Sequence, residues 1–225
     1  NQDNLLRSGC RVLRKLVIDY KNYHLYKKYK KNVQSAAAPY VTPANFSGRY
    51  GYFALHLQPE LTTAVLGNVA YHNQLAALKV FADFCAENDM ICIVKDNPKQ
   101  NFSHRSKHFF SVLTSLDNVK LVNNDEDSLT LVRSAALVGT ITGTVGLEAV
   151  FHGIPAVCFG DAWYGHLEGV FKPSQLDASV LNTSINSDNN KQSLGRLNAI
   201  ASKGISDFDY FSYWPLDTDV NNMDL

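Results

Sequence analysis

The sequence has few cysteines, no excess charge of either sign and no long uninterrupted apolar run. Its cysteines, Cys10, Cys85, Cys92 and Cys158, include no CxxC pair and are too few for a disulfide framework. We therefore expect a reducing, cytoplasmic environment. Lys+Arg and Asp+Glu number 21 each, which argues against a general nucleic-acid binder. The most apolar stretch, residues 129–151, is broken by charged residues and glycines, so it does not predict a membrane span.

Several catalytic signatures are also missing. The sequence has no Walker loop, no GxGxxG motif and no GxSxG motif. These absences argue against a P-loop NTPase, a dinucleotide-dependent dehydrogenase and an α/β-hydrolase. No His, Cys, Asp or Glu cluster has the spacing of metal ligands, so we expect neither a tightly held metal nor a cofactor.

What is present is an ordinary globular composition with an uneven charge distribution. Hydrophobic residues make up 45% of the 225 residues and charged residues 19%. Nine basic and two acidic residues lie before position 32, whereas five acidic and no basic residues lie after position 204. We predict a basic amphipathic helical segment over 1–34, a linker over 35–50, a Rossmann-like domain over 51–204 and an acidic aromatic tail over 205–225.

The basic segment has two interpretations. Tyr20, Tyr23, Tyr26 and Tyr29 recur every third residue among lysines. The segment either rests on an anionic membrane surface or on a further domain, or it is a solvated helix whose lysine stems cover its tyrosines. The sequence leaves both open.

From residue 51 onward, short apolar strands alternate with helices. The predicted strands are Tyr52–Leu57, Met90–Val94, Val119–Val122, Leu137–Ile141 and Pro155–Phe159. The predicted helices are 73–88, 104–116, 127–136 and 145–151, with partial helix over 176–204. Fully apolar strands alternating with helices predict an α/β fold, a doubly wound parallel sheet covered on both faces.

In such a sheet, ligands bind beyond the carboxyl ends of the strands. The loop after the fourth predicted strand is the most informative, because Gly143 and Gly146 let a ligand approach the backbone next to a helix start. We expect Thr142, Thr144 and these glycines to bind a phosphate. Glu148 would accept hydrogen bonds from ribose hydroxyls, or would merely complement the helix dipole.

Polar residues follow the other strands too. His56 and Glu60 are candidate catalytic acid–base groups, although His56 fits a hydrogen-bonded strand end and Glu60 a cap equally well. Lys95 ends a buried strand and is expected to bind phosphate, or else to extend to the surface. Trp163 and Tyr164 would stack on a base or close the pocket, or would lie at the core edge; Tyr164 is the one expected to bind the donor.

Four blocks of sequence together resemble the capsule polysaccharide biosynthesis proteins, which are glycosyltransferases of the two-Rossmann-domain (GT-B) type. The blocks are LHLQPE at 55–60, VKDNP at 94–98, NVKLV at 118–122 and ITGTVGLEAVFHGIPAVCFG at 141–160. The resemblance spans residues 50–165, and its first block adds Gln58 to the expected donor-binding residues. Asn97 departs from the pattern, since the family usually has His there.

The resemblance implies that the sheet is the carboxyl-terminal, donor-binding half of such an enzyme, the other half lying outside this chain. It implies a nucleotide-sugar donor, a glycan or lipid-linked acceptor, metal-independent transfer and no nucleic acid. It is also compatible with an anionic membrane surface at the inner face of the inner membrane. Two alternatives stay open: a non-catalytic donor-binding or assembly module, and an enzyme like the nucleotide-sugar 2-epimerases.

Overall fold

The computed structural model contains an open sheet of six parallel strands. It describes residues 20, 21, 23, 24, 27, 37–42, 46–58, 66–67, 70–71, 73–100 and 105–201, with the backbone alone at 194 and 196–201. The chain forms two compact units, residues 1–190 and 191–225, and the sheet belongs to the first.

The strands and helices alternate as the sequence predicts. The strands are β1 (Tyr50–Ala54), β2 (Ile91–Lys95), β3 (Val119–Leu121), β4 (Leu137–Thr140), β5 (Ala156–Cys158) and β6 (Val170–Phe171). The helices are α1 (Gln74–Glu87), α2 (Lys107–Thr114), α3 (Ser128–Ser134), α4 (Val145–Phe151) and α5 (Ser187–Ala201). Two short 3-10 helices, Pro173–Gln175 and Ala178–Asn182, precede α5.

The spatial order of the strands is β3-β2-β1-β4-β5-β6, and every neighbouring pair is parallel. The doubly wound α/β fold is therefore confirmed. The expected count of five strands is wrong, because β6 adds a sixth at one edge. The strand order reverses between β1 and β4, which is where ligands bind in folds of this kind.

The core lies on both faces of the sheet because successive strand residues point to opposite sides. Phe53 packs with Phe81 and Phe110 on the face covered by α1 and α2. Tyr52 packs with Ile93 and Val138 on the face covered by α3 and α4. All six side chains are at most 1% exposed, so both faces of the sheet are covered.

Part of the segment predicted to be a linker is packed against the domain. Ala38–Tyr40 is a 3-10 helix, and the Tyr40 ring stacks with Phe110 at a centroid distance of 6.4 Å. The Thr42 amide donates to the Leu121 carbonyl at 2.7 Å. These contacts cover the outer edge of β3, whose backbone groups would otherwise be unpaired.

Most of the basic segment and all of the acidic tail lie outside the described residues. The five described residues of the basic segment are helical and exposed. Lys27 Nζ lies 4.7 Å from the centre of the Tyr23 ring, a contact of the kind in which a lysine covers a tyrosine of its own helix. Within the described ranges, no helix has both the length and the apolar character needed to cross a membrane.

Candidate functional site

The carboxyl ends of β1 and β4 flank the point where the strand order reverses. The segment that follows β1, Leu55–Gln58, continues in an extended direction and is held by side-chain amides. Gln74 accepts from the His56 amide at 2.7 Å and donates to its carbonyl at 3.1 Å. Gln100 pairs in the same way with Gln58, at 2.7 and 2.9 Å. Gln74 and Gln100 thus bond the backbone of His56 and Gln58 as a neighbouring strand would.

His56 connects that segment to the loop after β4. Its Nε2 lies 2.8 Å from Thr140 Oγ1 and within 3.2 and 3.4 Å of the amide nitrogens of Ile141 and Thr142. Amides only donate, so Nε2 accepts and the neutral ring carries its proton on Nδ1. Burial, assisted by the Arg105 charge, lowers the pKa of His56 to about 4. The acceptor lone pair is occupied by the loop, and a catalytic role for His56 stays a prediction.

The β4–α4 loop is fixed from below by two further side chains. The Gly143 amide donates to Thr140 Oγ1 at 3.1 Å, and the Tyr164 hydroxyl donates to the Gly143 carbonyl. A Cβ on Gly146 would lie 2.5 Å from Tyr164 Oη, so only glycine leaves room for this ring. Tyr164 is fully buried, so it supports the loop, and direct contact with a ligand would require its exposure.

The loop presents backbone donors at the start of α4. In the described part of the chain, no acceptor is found for the amides of Thr144, Val145 and Leu147. Glu148 is half-buried, with Oε1 3.4 Å from Thr144 Oγ1. The structure therefore brings Thr144 and Glu148 together, and their contact with a donor stays a prediction.

Thr142 has a hydrogen-bond partner for its amide, whereas the described residues supply none for its hydroxyl. Its amide is near His56, but its Oγ1 is inaccessible to solvent and has no hydrogen-bond partner in the described ranges. A hydroxyl of this kind costs free energy unless a partner is supplied.

Lys95 points away from the β4–α4 loop. Its ammonium donates to the Glu126 carbonyl and to Ser128 Oγ, at 2.5 and 2.7 Å, in the segment between β3 and α3. Burial lowers its pKa, while the nearby charges of Asp127, Glu126 and Asp125 oppose that shift. Lys95 thus holds the end of β2 to the start of α3, and contact with a phosphate stays a prediction.

Sequence reasoning missed a buried ion pair between Asp96 and Arg105. Arg105 Nε lies 3.1 and 3.0 Å from the two Asp96 oxygens, and both residues are at most 3% exposed. The same guanidinium donates to the His56 carbonyl at 2.9 Å and to Gln58 Oε1 at 3.2 Å. Burial raises the pKa of Asp96 and lowers that of Arg105, each opposed by its partner's charge.

Arg105 was missed because nothing in the polar run NFSHRS at 101–106 indicates that one of its members is buried. Gln58 was expected to bind the nucleotide-sugar donor, but in this structure its Oε1 accepts a hydrogen bond from Arg105. Asn97 is nearby in the chain, and its amide donates to Asp96 Oδ1 at 2.8 Å. The segment that follows β2 is therefore joined, through Arg105, to the segment that follows β1.

Two cavities of about 340 Å³ lie at this edge of the sheet. One is lined by Asp96 and by residues 121–125 beyond β3. The other lies beyond β5 and β6, next to the exposed Trp163. Neither is lined by the β4–α4 loop.

Two expectations from the sequence stay predictions. Glu60, the second candidate catalytic residue, lies outside the described residues. Among the residues that are described, no three His, Cys, Asp or Glu side chains come close enough to hold a metal ion. Metal-independent chemistry stays a prediction.

Comparison with known families places the chain. The sequence model described as "Capsule polysaccharide biosynthesis protein" matches residues 11–194, most of the chain. This protein belongs to that family. The resemblance carried by the four sequence blocks is confirmed, and the match covers β1 to β6 together with the loops described above. A comparison with curated proteins finds no match.

Solved structures of related shape include two kinds of protein. Thermosulfurimonas dismutans KpsC, a beta Kdo 2,7 transferase, is 13% identical, with a TM-score of 0.46 over 77% of this chain and 63% of that one. Methanocaldococcus jannaschii UDP-GlcNAc 2-epimerase, in complex with UDP-GlcNAc and UDP, is 17% identical, with a TM-score of 0.47 over 77% and 51%. The chain thus matches 63% of the length of the transferase and 51% of the length of the epimerase.

Proposed function

We propose that this chain binds a nucleotide-sugar donor at the β4–α4 loop and takes part in transferring the sugar to a glycan or lipid-linked acceptor during capsular polysaccharide synthesis. The observation that carries the proposal is the group of amides at Thr144, Val145 and Leu147, for which the described residues supply no acceptor. They lie beside two glycines in a chain that belongs to the capsule polysaccharide biosynthesis family.

The amides suit a phosphate because the loop that carries them is held in one conformation, so their N–H groups are already oriented. His56, Thr140 and Tyr164 hold the loop by hydrogen bonds that do not involve those three amides. Donors that are already oriented need not reorganise when negative charge develops on the leaving phosphate. Helix α4 is short, so we attribute binding to the individual amides and only secondarily to the helix dipole.

Glu148 is proposed to bind the ribose. Its carboxylate lies half-buried one turn into α4, with Oε1 near Thr144 Oγ1. An ionised carboxylate offers acceptor sites to two neighbouring hydroxyls at once. A ribose presents such a pair at the distance from its phosphate that one helical turn spans.

In the proposed transfer, the bond between the donor sugar and its phosphate breaks as the acceptor hydroxyl forms the new glycosidic bond. The hydroxyl proton passes to an acid–base group, for which Glu60 is the first candidate. His56 is the second, because its Nε2 lone pair would first have to be released by the Ile141 and Thr142 amides. The amides stabilise the leaving phosphate, and we propose that no protein-held divalent cation takes part. Lys95 and Gln58 contribute by fixing neighbouring loops, as their contacts indicate.

Calorimetric titration of CMP- and UDP-linked sugars into the chain and into Glu148→Ala tests the proposal. We expect at least one donor to bind, and the variant to bind it about tenfold or more weakly, since a hydrogen-bonded charged group contributes roughly 1.5–3 kcal/mol. Glu87→Ala is the matched control, because Glu87 is exposed at the end of α1, at the opposite edge of the sheet. Equal affinities in parent and Glu148→Ala would remove Glu148 from the site.

Product analysis separates transfer from the two alternatives. A donor incubated without acceptor is converted to its epimer by a 2-epimerase-like enzyme and is not epimerised by a transferase. A non-catalytic module binds the donor without turnover under either condition. Incubation with donor and a capsular oligosaccharide acceptor then shows whether sugar is transferred.

A further inference from the structure

The cavity beyond β5 and β6 combines an aromatic surface with several polar side chains. Its volume is about 340 Å³, and its walls include Asp161, Trp163, His166 and Lys172. Asp161, His166 and Lys172 are all exposed. A concave surface with a few converging polar groups is typical of a small-molecule site.

Trp163 is the unusual member of this surface. Its side chain is 58% exposed, although tryptophan is among the residues that proteins bury most. The ring is not loose, because it meets the buried Tyr164 ring edge to face at 5.6 Å and 90°. One large aromatic side chain is therefore held in position while more than half of it faces solvent.

The polar surroundings decide what kind of ligand fits Trp163. A protein segment that docks through apolar contacts requires a contiguous apolar patch, whereas this cavity wall places Asp161, His166 and Lys172 among its apolar residues. A pyranose ring has an apolar face of C–H groups and a rim of hydroxyls. The aromatic ring suits that face, the Asp161 carboxylate accepts from hydroxyls, and Lys172 donates to them.

Tyr164 joins this cavity to the β4–α4 loop. Its ring supports Trp163 on one side and lies under Gly146 on the other, and its hydroxyl bonds the Gly143 carbonyl. A ligand on Trp163 would thus lie beside the proposed phosphate site, separated from it by a single side chain.

We infer that the cavity beside Trp163 is a saccharide subsite, in which a pyranose ring stacks on Trp163 and its hydroxyls bond Asp161 and Lys172. The inference rests on the proposed function for the source of the sugar, which is either the donor's own sugar or the end of the acceptor glycan. The stacking surface and the polar groups are the same for both sources.

Ligand-observed saturation-transfer NMR tests this with a panel of methyl glycosides: glucoside, galactoside, N-acetylglucosaminide and glucuronide. We expect at least one to bind the 225-residue chain with a dissociation constant in the millimolar range, as is usual for a single ring. Trp163→Ala is expected to weaken binding at least about tenfold, and Trp163→Phe less, because phenylalanine retains an aromatic face. In Trp214→Phe, which leaves Trp163 as the sole tryptophan of the chain, the same sugars are expected to change its fluorescence.

A nucleotide arm distinguishes failure of this inference from failure of the proposed function. UDP and CMP are titrated into the parent, Trp163→Ala and Glu148→Ala. Trp163→Ala should bind the nucleotides as tightly as the parent does. Glu148→Ala should lose nucleotide affinity but bind the methyl glycosides as tightly as the parent does. Saccharide binding that is equal in parent and Trp163→Ala, or no binding by any panel member while nucleotides bind, overturns the subsite and leaves the donor proposal standing. If UDP or CMP binds Trp163→Ala more weakly than the parent, a nucleotide base stacks on that ring, and this result also overturns the saccharide subsite. Binding of neither ligand class ends both proposals.

If the subsite is correct, titrations with nucleotide-sugars show whether the stacked sugar belongs to the donor or to the acceptor. A nucleotide-sugar that binds more tightly than its nucleotide in the parent, but equally in Trp163→Ala, assigns the stacked ring to the donor. A methyl glycoside that binds undiminished in the presence of saturating nucleotide-sugar assigns it to the acceptor.

Discussion

At the scale of single residues, the candidate site depends on one contact between a glycine and a tyrosine. Gly146 lies so close to Tyr164 that a methyl group there would be 2.5 Å from the hydroxyl oxygen and 3.2 Å from the nearest ring carbons. The same hydroxyl bonds the Gly143 carbonyl. The shape of the loop is thus set by a side chain that belongs to a different loop.

We expect Gly146→Ala to lower the free energy of unfolding by about 1–3 kcal/mol through overpacking. Tyr164→Phe should cost about 1 kcal/mol for the lost hydrogen bond. Because Tyr164→Phe also removes the closest atom, the double variant should lose less than the sum of the two, a coupling that urea denaturation measures.

Gly195→Ala serves as the control for this cycle. Gly195 lies in α5, and a Cβ there would meet nothing within 4 Å. It is expected to leave stability unchanged or raise it by up to about 1 kcal/mol. Strict additivity between positions 146 and 164 would contradict the close contact described here.

The pair Trp163–Tyr164 also illustrates what a sequence leaves undetermined at this scale. Two adjacent aromatic residues after a strand predict that one points inward and one outward, but not which one. The sequence allowed both residues to stack on a ligand or to lie at the core edge, and the structure buries Tyr164 and exposes Trp163. The choice depends on the space under Gly146, which comes from a residue 18 positions earlier.

At the scale of elements, side chains connect the loops of the site more than backbone does. Arg105 joins Asp96, His56 and Gln58, so one guanidinium spans the ends of β1 and β2. The Phe109 ring lies 4.4 Å from its guanidinium carbon, which fixes the group from the side of α2.

We predict that Arg105→Met lowers the free energy of unfolding by about 3–5 kcal/mol, because it leaves the Asp96 carboxylate buried without its partner. Adding Asp96→Asn should restore part of the loss, since the uncompensated charge is then gone. Lys79→Met is the comparison, as it breaks the Lys79–Asp83 pair, whose side chains are 62% and 51% exposed. It should cost no more than about 1 kcal/mol in thermal or urea unfolding.

Should Arg105→Met prove as mild as Lys79→Met, the pair contributes little to joining the loops. An intermediate case, in which stability is kept but nucleotide affinity falls, would assign Arg105 to positioning the site rather than to the stability of the fold.

The elements themselves were largely predictable from the sequence. Helix α4 was predicted with its observed bounds, and Asp127 caps α3, because capping residues and apolar runs are local signals. Strand β6 was missed because two half-buried residues, Val170 and Phe171, form a strand only by pairing with β5. Arg105 and the amides of Gln74 and Gln100 could not be foreseen, since their partners are distant in the chain.

At the scale of the whole molecule, the buried imidazole of His56 links stability to pH. Its pKa is lowered from 6.5 to about 4 in the folded protein, so the unfolded chain binds the proton more tightly. The stabilisation is complete above about pH 6.5 and is lost as pH falls from there to about 4. The lowered pKa values of Asp127 and Asp177 act below this window, and the raised pKa of Asp96 acts in the opposite sense near its acid end.

We expect the parent to lose up to about 3 kcal/mol of unfolding free energy between pH 6.5 and 4 on account of His56. His56→Gln, which keeps an acceptor but does not titrate, should be less stable at neutral pH and show a smaller slope over this range. His152→Gln, at an exposed position, should follow the parent. Parallel curves for parent and His56→Gln would show that His56 does not carry the pH dependence.

The paired amides of Gln74 and Gln100 have a consequence for the length of the segment after β1. They engage alternate residues, His56 and Gln58, at fixed intervals along an extended chain. Inserting or deleting one residue before His56 would shift both backbone positions relative to Gln74 and Gln100, so both pairs of hydrogen bonds would be lost together. The spacing of this segment is therefore constrained as strictly as its composition, and homologous recombination of family members across it should succeed only where the count of residues is conserved.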